Sequence, residues 1–194
     1  MKKIIIIFSC LLFGQGLLVA RAQADTFAID PARSFVLFKI NHMAGYSIGA
    51  FQNFGGYIKT DANNTNIASL VAKVDTRSVY TRNQERDNLL RSDLFFNSEK
   101  FPEATLIGKT IKDGKLICDV TILGKKKEVA FDLDFGALGK DPQGKSKISV
   151  FARGQISRKD FGMKFSPDLD NRQGDMLGDD VEIKLELEGM LLKG

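Results

Sequence analysis

The feature of this sequence that most constrains its fold is an apolar–polar alternation with a period of two, which recurs in segment after segment. It is clearest over residues 128–135, where one face carries Val129, Phe131, Leu133 and Phe135 and the other carries Ala130, Asp132 and Asp134. Because successive side chains of a β-strand point to opposite faces, each such segment is predicted to be a strand with one dry and one wet face. About eight substantial strands follow one another, which predicts an all-β fold.

Short connections rich in turn residues separate the predicted strands. Asp113-Gly114 is typical of a two-residue hairpin, and Gly55-Gly56 indicates a bulge or sharp bend inside a long strand. A polar loop is expected over residues 166–179. We expect an extended lead-in over residues 25–30 and strands over 34–43, 47–60, 67–76, 105–112, 115–123, 128–135, 147–157 and 181–187.

Short connections favour antiparallel neighbours, and a sheet of this length either curls into a barrel or splits into a sandwich. The residues predicted to point inward include Ala72, Ala152 and Gly154 among larger apolar side chains. These small residues cannot fill the centre of a barrel, so they favour an eight-stranded antiparallel, lipocalin-like barrel with room for a ligand. A tapered, fully packed barrel is the alternative.

One stretch, residues 81–105, has the pattern of a helix instead of a strand. Thr81 and Gln84 fit a capping box, and Pro102 forbids continuation of the helix. The apolar face of the segment, which we expect to cover or line one end of the barrel, consists of Leu89, Leu90, Leu94, Phe95 and Phe96.

Residues Met1–Ala24 have the features of a secretory signal peptide. Lys2 and Lys3 precede an apolar core, and Ala22-Gln23-Ala24 is a cleavage site of the small-x-small type. We therefore expect an exported protein, periplasmic or secreted, whose single domain spans residues 25–194. Removal of the segment takes three of the 28 basic residues and none of the 24 acidic ones, so the mature chain is nearly neutral. This balance gives no indication of a nucleic-acid partner, which requires a clustered basic surface.

The sequence carries no pattern typical of catalysis or metal binding. Cys118 is the sole cysteine of the expected mature chain, so it forms no intramolecular disulfide and is predicted to be a buried apolar side chain. His42 is the sole histidine, which leaves neither a zinc pattern nor a catalytic triad beyond this one residue. We expect a protein that is not an enzyme; an enzyme that depends on His42 is the least favoured alternative.

The order of several motifs along the chain resembles the YceI-like family of exported lipid-binding proteins. The resemblance extends from about Asp30 to Leu191. It rests on Asp30-Pro31 with Ser34, Phe38 to His42, Phe51, Phe54, Gly56, Arg86-Asp87, Leu90-Arg91-Ser92, Phe95-Phe96, Phe101-Pro102 with Thr105, Thr121-Ile122 with Gly124, Asp141-Pro142, Ile156, Arg158, Asp160-Phe161-Gly162, and Gly178-Asp179 with Val181.

This resemblance implies an extended lipocalin-type barrel that binds a polyisoprenoid or another long amphiphile in an apolar tunnel. The family often has histidine where this chain has Arg33, Leu89 and Leu123, so a polar or metal role of those positions does not transfer. The chain is expected to bind a polyisoprenoid, quinone or fatty-acid-like molecule without any cofactor or metal. It is not expected to span a membrane, and a homodimer is left open. An envelope interaction module with a packed barrel is the alternative function.

The predicted ligand site combines an apolar wall with three polar side chains. His42, Arg86 and Arg91 are candidate contacts for a polar head group, although Arg86 could instead form an ion pair with Asp87 that fixes the helix. The candidate wall residues are Phe38, Ile40, Leu70, Val74, Leu89, Leu90, Phe95, Phe131, Leu133 and Leu185, and ordinary core packing is the alternative role for each of them.

Overall fold

The computed structural model of the protein describes residues 24–163 and 177–192. The expected signal peptide, Met1–Ala24, lies outside the described residues except for Ala24. The described residues form eleven strands and a single α-helix, α1 (Gln84–Arg91), with 3₁₀ turns at Thr76–Ser78 and Lys159–Phe161. The strands are β1 (Thr26–Ile29), β2 (Phe35–His42), β3 (Gly45–Phe51), β4 (Phe54–Thr60), β5 (Ile67–Asp75), β6 (Val79–Tyr80), β7 (Glu103–Lys112), β8 (Lys115–Ile122), β9 (Lys125–Lys140), β10 (Ser146–Ser157) and β11 (Leu177–Leu191).

The sheet closes into a barrel in which every neighbouring pair is antiparallel. Strands β1 and β2 both pair with β11 and act as one interrupted barrel strand. Strands β3 and β4 together form a second interrupted barrel strand, and strands β5 and β6 form a third. Strands β7 to β11 follow in chain order, and β11 closes the barrel against β1 and β2. Among the described residues, the expected eight-stranded antiparallel barrel with one helix is therefore confirmed.

Several predicted strand boundaries are wrong for identifiable reasons. The segment 47–60 is two strands, because the chain leaves the ladder at Gln52, whose backbone N–H donates to the Ser78 carbonyl at 3.1 Å. Strand β9 begins at Lys125, three residues earlier than expected, since Leu123 and Gly124 adopt positive φ values of 53° and 71° in a tight turn. Of the loop expected over 166–179, residues up to 176 lie outside the described residues, and the last three belong to β11.

A bulge or a sharp bend was expected at the paired glycines of β4, and the structure shows no bulge there. Gly55 and Gly56 lie opposite Lys73 and Ala72 in regular register. Gly56 has a φ of +147°, and a Cβ atom there would lie 1.9 Å from the Val71 carbonyl oxygen. Glycine is therefore required at position 56 for the close approach of two neighbouring strands.

The helix is shorter than predicted and has a different cap. Asn83 is the N-cap, and its side chain accepts from the Arg86 N–H at 2.9 Å. Thr81 cannot cap, because it is buried and both its N–H and its hydroxyl donate to Asp87 Oδ1, at 2.8 and 2.6 Å. The helix ends at Arg91, well before Pro102, and residues 94–96 lie in turns that follow it.

The barrel interior is divided into a packed half and a cavity half. The packed half contains the early part of β8 and β10 and the late part of β11, and it is filled by side chains that are almost fully buried: Phe27, Ile58, Leu70, Leu116, Phe131, Ile148, Val150 and Leu187. The cavity half is the opposite end, towards α1, where the interior side chains leave a void. This division positions the candidate site.

The small inward residues do not all make room for a ligand. A Cβ atom at Gly154 would lie 2.6 Å from the Phe131 ring, which faces it across the β9–β10 pair. Gly154 therefore makes room for a core aromatic ring, and the expectation that it contributes free space is wrong. Ala72, in contrast, lines the cavity.

Candidate functional site

The candidate site is an apolar cavity of about 410 Å³ at the helix end of the barrel. This volume lies within the range of roughly 300–1,000 Å³ that is typical of small-molecule sites. The wall comes from inward positions of β2, β3, β5, β7, β8, β10 and β11. Its strand residues include Val36, Phe38, Ile40, Phe51, Ala72, Val74, Ala104, Leu106, Val120, Ile122, Ile156, Val181, Ile183 and Leu185.

Helix α1 and the turns that follow it cover this end of the barrel. Leu89 and Leu90 line the cavity from the helix, and Phe95 and Phe96 line it from the turns. The Phe96 ring stands edge-on to the Phe51 ring of β3, with 5.4 Å between ring centroids. Leu89 is also 40% exposed, so it contacts both the cavity and the solvent. The helix therefore lies at the boundary between the void and the outside.

Arg86 is a polar lining residue that is held in place by Thr81 and Ser47. Its Nε donates to Thr81 Oγ1 at 2.8 Å, its Nη2 donates to the Thr81 carbonyl at 2.7 Å, and its Nη1 donates to Ser47 Oγ at 3.3 Å. Arg86 and Asp87 both bind Thr81 and form no direct ion pair within the part of the chain that the structure describes. The cation is thus fixed by neutral groups.

Arg158 is the second cationic lining residue, and it is only 1% exposed. It follows β10 directly. Its guanidinium donates to three backbone carbonyls, from Nε to Gly178 at 2.9 Å, from Nη2 to Leu177 at 3.2 Å and from Nη1 to Met163 at 3.4 Å. Among the described residues, no carboxylate lines the cavity.

Most of the predicted site residues do line this cavity. Leu70 and Phe131 instead belong to the packed half, Leu133 faces Ala152 across the β9–β10 pair, and Arg91 donates to the Arg77 and Val79 carbonyls and so ties α1 to β6. The predicted residues that the structure brings together around the void are Phe38, Ile40, His42, Val74, Arg86, Leu89, Leu90, Phe95 and Leu185.

Sequence reasoning missed Arg158 as a site residue, together with Met163 and Leu177. A signal for Arg158 was present, because it lies two residues after the inward Ile156 and so continues the inner face of β10. A charge on an inner face is uncommon enough to single out a residue. Met163 and Leu177 border residues 164–176, which lie outside the described residues, and the alternation offers no comparable signal there.

Cys118 and the acidic side chains are the remaining reactive groups of the described residues. Cys118 is fully buried in β8, and burial, aided by the charge of Asp119, raises the pKa of its thiol to about 12. Such a thiol is not ionised near neutral pH and is a poor nucleophile. Within residues 24–163 and 177–192, no three His, Cys, Asp or Glu side chains are grouped closely enough to hold a metal ion. No helix of the described chain is long and apolar enough to cross a membrane.

A second hollow of about 680 Å³ lies on the outer side of the barrel, between β9 and β10. The two strands diverge beyond the Phe131–Gly154 pair, and mostly charged and polar side chains such as Lys127, Glu128 and Arg153 line the space. Although it is larger, this hollow is polar and open to solvent, so it lacks the apolar enclosure that characterises a ligand site.

A closed antiparallel barrel with an apolar cavity at one end, covered by a short helix, defines the class of lipocalin-like barrels. Within that class the chain belongs to the YceI-like domain family, whose model matches residues 27–189. The resemblance noted from the sequence is thereby confirmed.

Known proteins of similar sequence and structure agree with this assignment. A UPF0312 protein of Staphylococcus aureus (strain MSSA476) is 32% identical over 164 residues, which cover 84% of this chain and 95% of that protein. A YCEI protein of Campylobacter jejuni has a TM-score of 0.63 at 28% identity, covering 75% of this chain and 85% of its own.

Two more distant structures share the fold. BcnA of Burkholderia cenocepacia has a TM-score of 0.71 at 21% identity, covering 82% of this chain and 98% of its own. A polyisoprenoid binding domain from Saccharophagus degradans, implicated in plant cell wall breakdown, has a TM-score of 0.68 at 16% identity, covering 86% of this chain and 98% of its own.

Proposed function

We propose that this protein binds one long-chain amphiphile in its barrel cavity and acts as a carrier or sequestering protein, not as an enzyme. The observation that carries the proposal is the apolar void of about 410 Å³ beneath α1. The similarity to a polyisoprenoid binding domain supports a lipid-like ligand. A polyisoprenoid, a quinone and a fatty-acid-like molecule all fit this description.

The driving force is the burial of the ligand chain. Each methylene contributes about 0.8 kcal/mol on transfer from water to an apolar site. A dozen methylenes therefore contribute about 10 kcal/mol. The cost of association is roughly 4–15 kcal/mol, so this gain exceeds the cost only when the cost lies in the lower part of its range. A preformed cavity lowers the cost, and the close-packed opposite half of the barrel keeps this cavity preformed.

The rival functions have less support. An interaction module with a fully packed barrel has no use for a void of this size. An enzyme centred on His42 needs a second catalytic group, and the nearest cavity-lining hydroxyl on the facing strand, that of Ser47, already accepts from Arg86.

The expected export of the protein rests on the sequence of residues 1–24 and is part of the proposal.

The proposal is tested by titration with an environment-sensitive fluorescent fatty probe, followed by displacement with alcohols of increasing chain length. We expect each added methylene to tighten binding about fourfold, the equivalent of about 0.8 kcal/mol, until the cavity is full. Absence of probe binding, or affinity independent of chain length, would contradict the proposal.

A matched pair of variants locates the binding. Leu89→Asp places a carboxylate on the cavity lining and is expected to weaken probe binding at least tenfold. Leu138→Asp makes the same change at a residue of β9 with nearly the same exposure, 39% against 40%, that does not line the cavity. Equal effects of the two variants would show that the probe binds elsewhere.

A further inference from the structure

Arg158 is a buried cation whose hydrogen-bond acceptors, among the described residues, are all backbone carbonyls. Its guanidinium carries five N–H groups, and the three backbone carbonyls of Met163, Leu177 and Gly178 accept from one N–H of each nitrogen. One N–H on Nη1 and one on Nη2 are not used by these bonds. Among the described residues, no carboxylate lies within ion-pair distance of the guanidinium.

The nearest acidic group along the chain is already committed to other donors. Asp179 accepts from Ser157 Oγ at 2.8 Å and from the Lys159 N–H at 3.0 Å. Desolvation acts to raise the pKa of Asp179, but these hydrogen bonds and the charges of Lys159 and Arg158 outweigh it and lower the pKa. Asp179 is therefore ionised at neutral pH, yet it does not line the cavity.

Among the described residues, two cationic side chains and no carboxylate line the cavity, while Asp87 and Asp179 lie behind its wall, bonded to other donors. The two cations are Arg86 and Arg158. Electrostatic interactions are stronger in such an apolar, water-poor space than in bulk water. A negatively charged group that enters with an apolar chain thus meets a complementary site, and a parallel pair of guanidinium N–H groups suits carboxylate and phosphate oxygens.

We propose that the cavity selects long-chain amphiphiles with an anionic oxygen head group, a carboxylate or a phosphate, and that Arg158 is the residue that recognises it. This inference rests on the proposed function, since it assigns the head group of the same ligand. Arg158 completes its set of donors when the anion is present, and Arg86 adds a second positive charge at the same end of the barrel. The apolar tail then extends along the wall towards the packed half.

The test compares ligands of equal chain length that differ in head-group charge. We expect the wild-type protein to bind oleate at least tenfold more tightly than oleyl alcohol, and geranylgeranyl phosphate at least tenfold more tightly than geranylgeraniol. Tight binding of an alcohol without a preference for the anion would overturn this inference and leave the proposed function intact. Failure to bind any of the four would overturn both.

Variants assign the preference to Arg158. We expect Arg158→Gln to bring the anion-to-alcohol affinity ratio close to one while the affinity for the alcohol changes less than threefold, and Arg158→Lys to retain part of the ratio. Arg153→Gln is the matched control, because Arg153 lies on the outer face of β10, the strand that Arg158 follows, and is paired with Glu182 at 3.5 Å. Equal weakening of anion and alcohol by Arg158→Gln would show a purely structural role and overturn the inference.

A measurement on the wild-type protein keeps the inference testable if Arg158→Gln does not fold. Oleate labelled with ¹³C at its carboxyl carbon reports the protonation of the bound head group by NMR. Pairing with Arg158 lowers the pKa of the bound carboxyl below its value in water, whereas burial in an apolar cavity without such pairing raises it. A raised or unchanged pKa would overturn the inference.

Discussion

Replacement of Ala72 by leucine adds three carbon atoms at a buried position that lines the cavity. Because Ala72 faces the void, these atoms enter it without displacing neighbours. Their transfer from water contributes about 2.4 kcal/mol at 0.8 kcal/mol per carbon. The loss of leucine rotamer freedom costs roughly 0.5–1 kcal/mol. We therefore expect the ligand-free variant to be more stable than the wild type by about 1.5–2 kcal/mol.

Ala152→Leu is the matched control, because Ala152 is equally buried on the inner face but does not line the cavity. It lies between Leu133 and Leu185 in the sheet, where three more carbons have no space. Overpacking of this kind costs about 1–3 kcal/mol. The two substitutions are chemically identical. The difference between the free energies of unfolding of the two variants, about 2.5–5 kcal/mol, therefore reports the void alone.

Urea denaturation of the apo protein and the two variants measures these free energies of unfolding, and probe titration measures binding. The leucine at position 72 excludes about three ligand methylenes, which predicts roughly 50-fold weaker binding from a loss of about 2.4 kcal/mol. Destabilisation by Ala72→Leu comparable to that by Ala152→Leu would refute the reasoning, because it would mean that both positions are packed.

Three further predictions concern stability and reactivity. Phe131→Ala in the packed half should cost about 3–5 kcal/mol in chemical denaturation while leaving the affinity of the probe for the folded protein unchanged. Asp87→Ala should cost about 1–3 kcal/mol, since it leaves the buried N–H and hydroxyl of Thr81 without their acceptor. Because the thiol of Cys118 has a pKa of about 12 in the folded state and an ordinary value near 9.0 when unfolded, stability should fall as the pH rises from 9.0 towards 10.5, where Lys109 begins to contribute, and Cys118→Ala should remove the slope in that interval.

The overall fold could be predicted from the sequence because one physical rule governs most of the chain. A period of two with a single dry face specifies strands and their inward sides, and the tight Asp113-Gly114 turn specifies an antiparallel neighbour. The interruptions of the barrel strands could not be predicted this way. The alternation continues through the break near Gln52, and the break depends on the hydrogen bond from the Gln52 N–H to the carbonyl of Ser78, a residue distant in sequence.

The candidate site could be predicted only in part, for a related reason. The alternation shows that Phe38 and Phe131 both point inward, but it does not show which end of the barrel each one occupies or which rings fill the space above a glycine. Phe131 covers Gly154 and belongs to the packed half, whereas Phe38 lines the void. The helix cap was missed because Asp87, six residues away, competes for Thr81 more effectively than the first turn of the helix does.

The central claim is that a long-chain amphiphile occupies the barrel, and native mass spectrometry of the protein after gentle extraction from its cells tests this most directly. We expect a complex with one bound molecule of a long-chain amphiphile, released on denaturation and identifiable by its fragments. Ala72→Leu should reduce the occupied fraction, and Ala130→Leu, at an exposed alanine of β9 that does not line the cavity, should leave it unchanged. A protein recovered only in its ligand-free mass, with no probe binding in titration, would contradict the account.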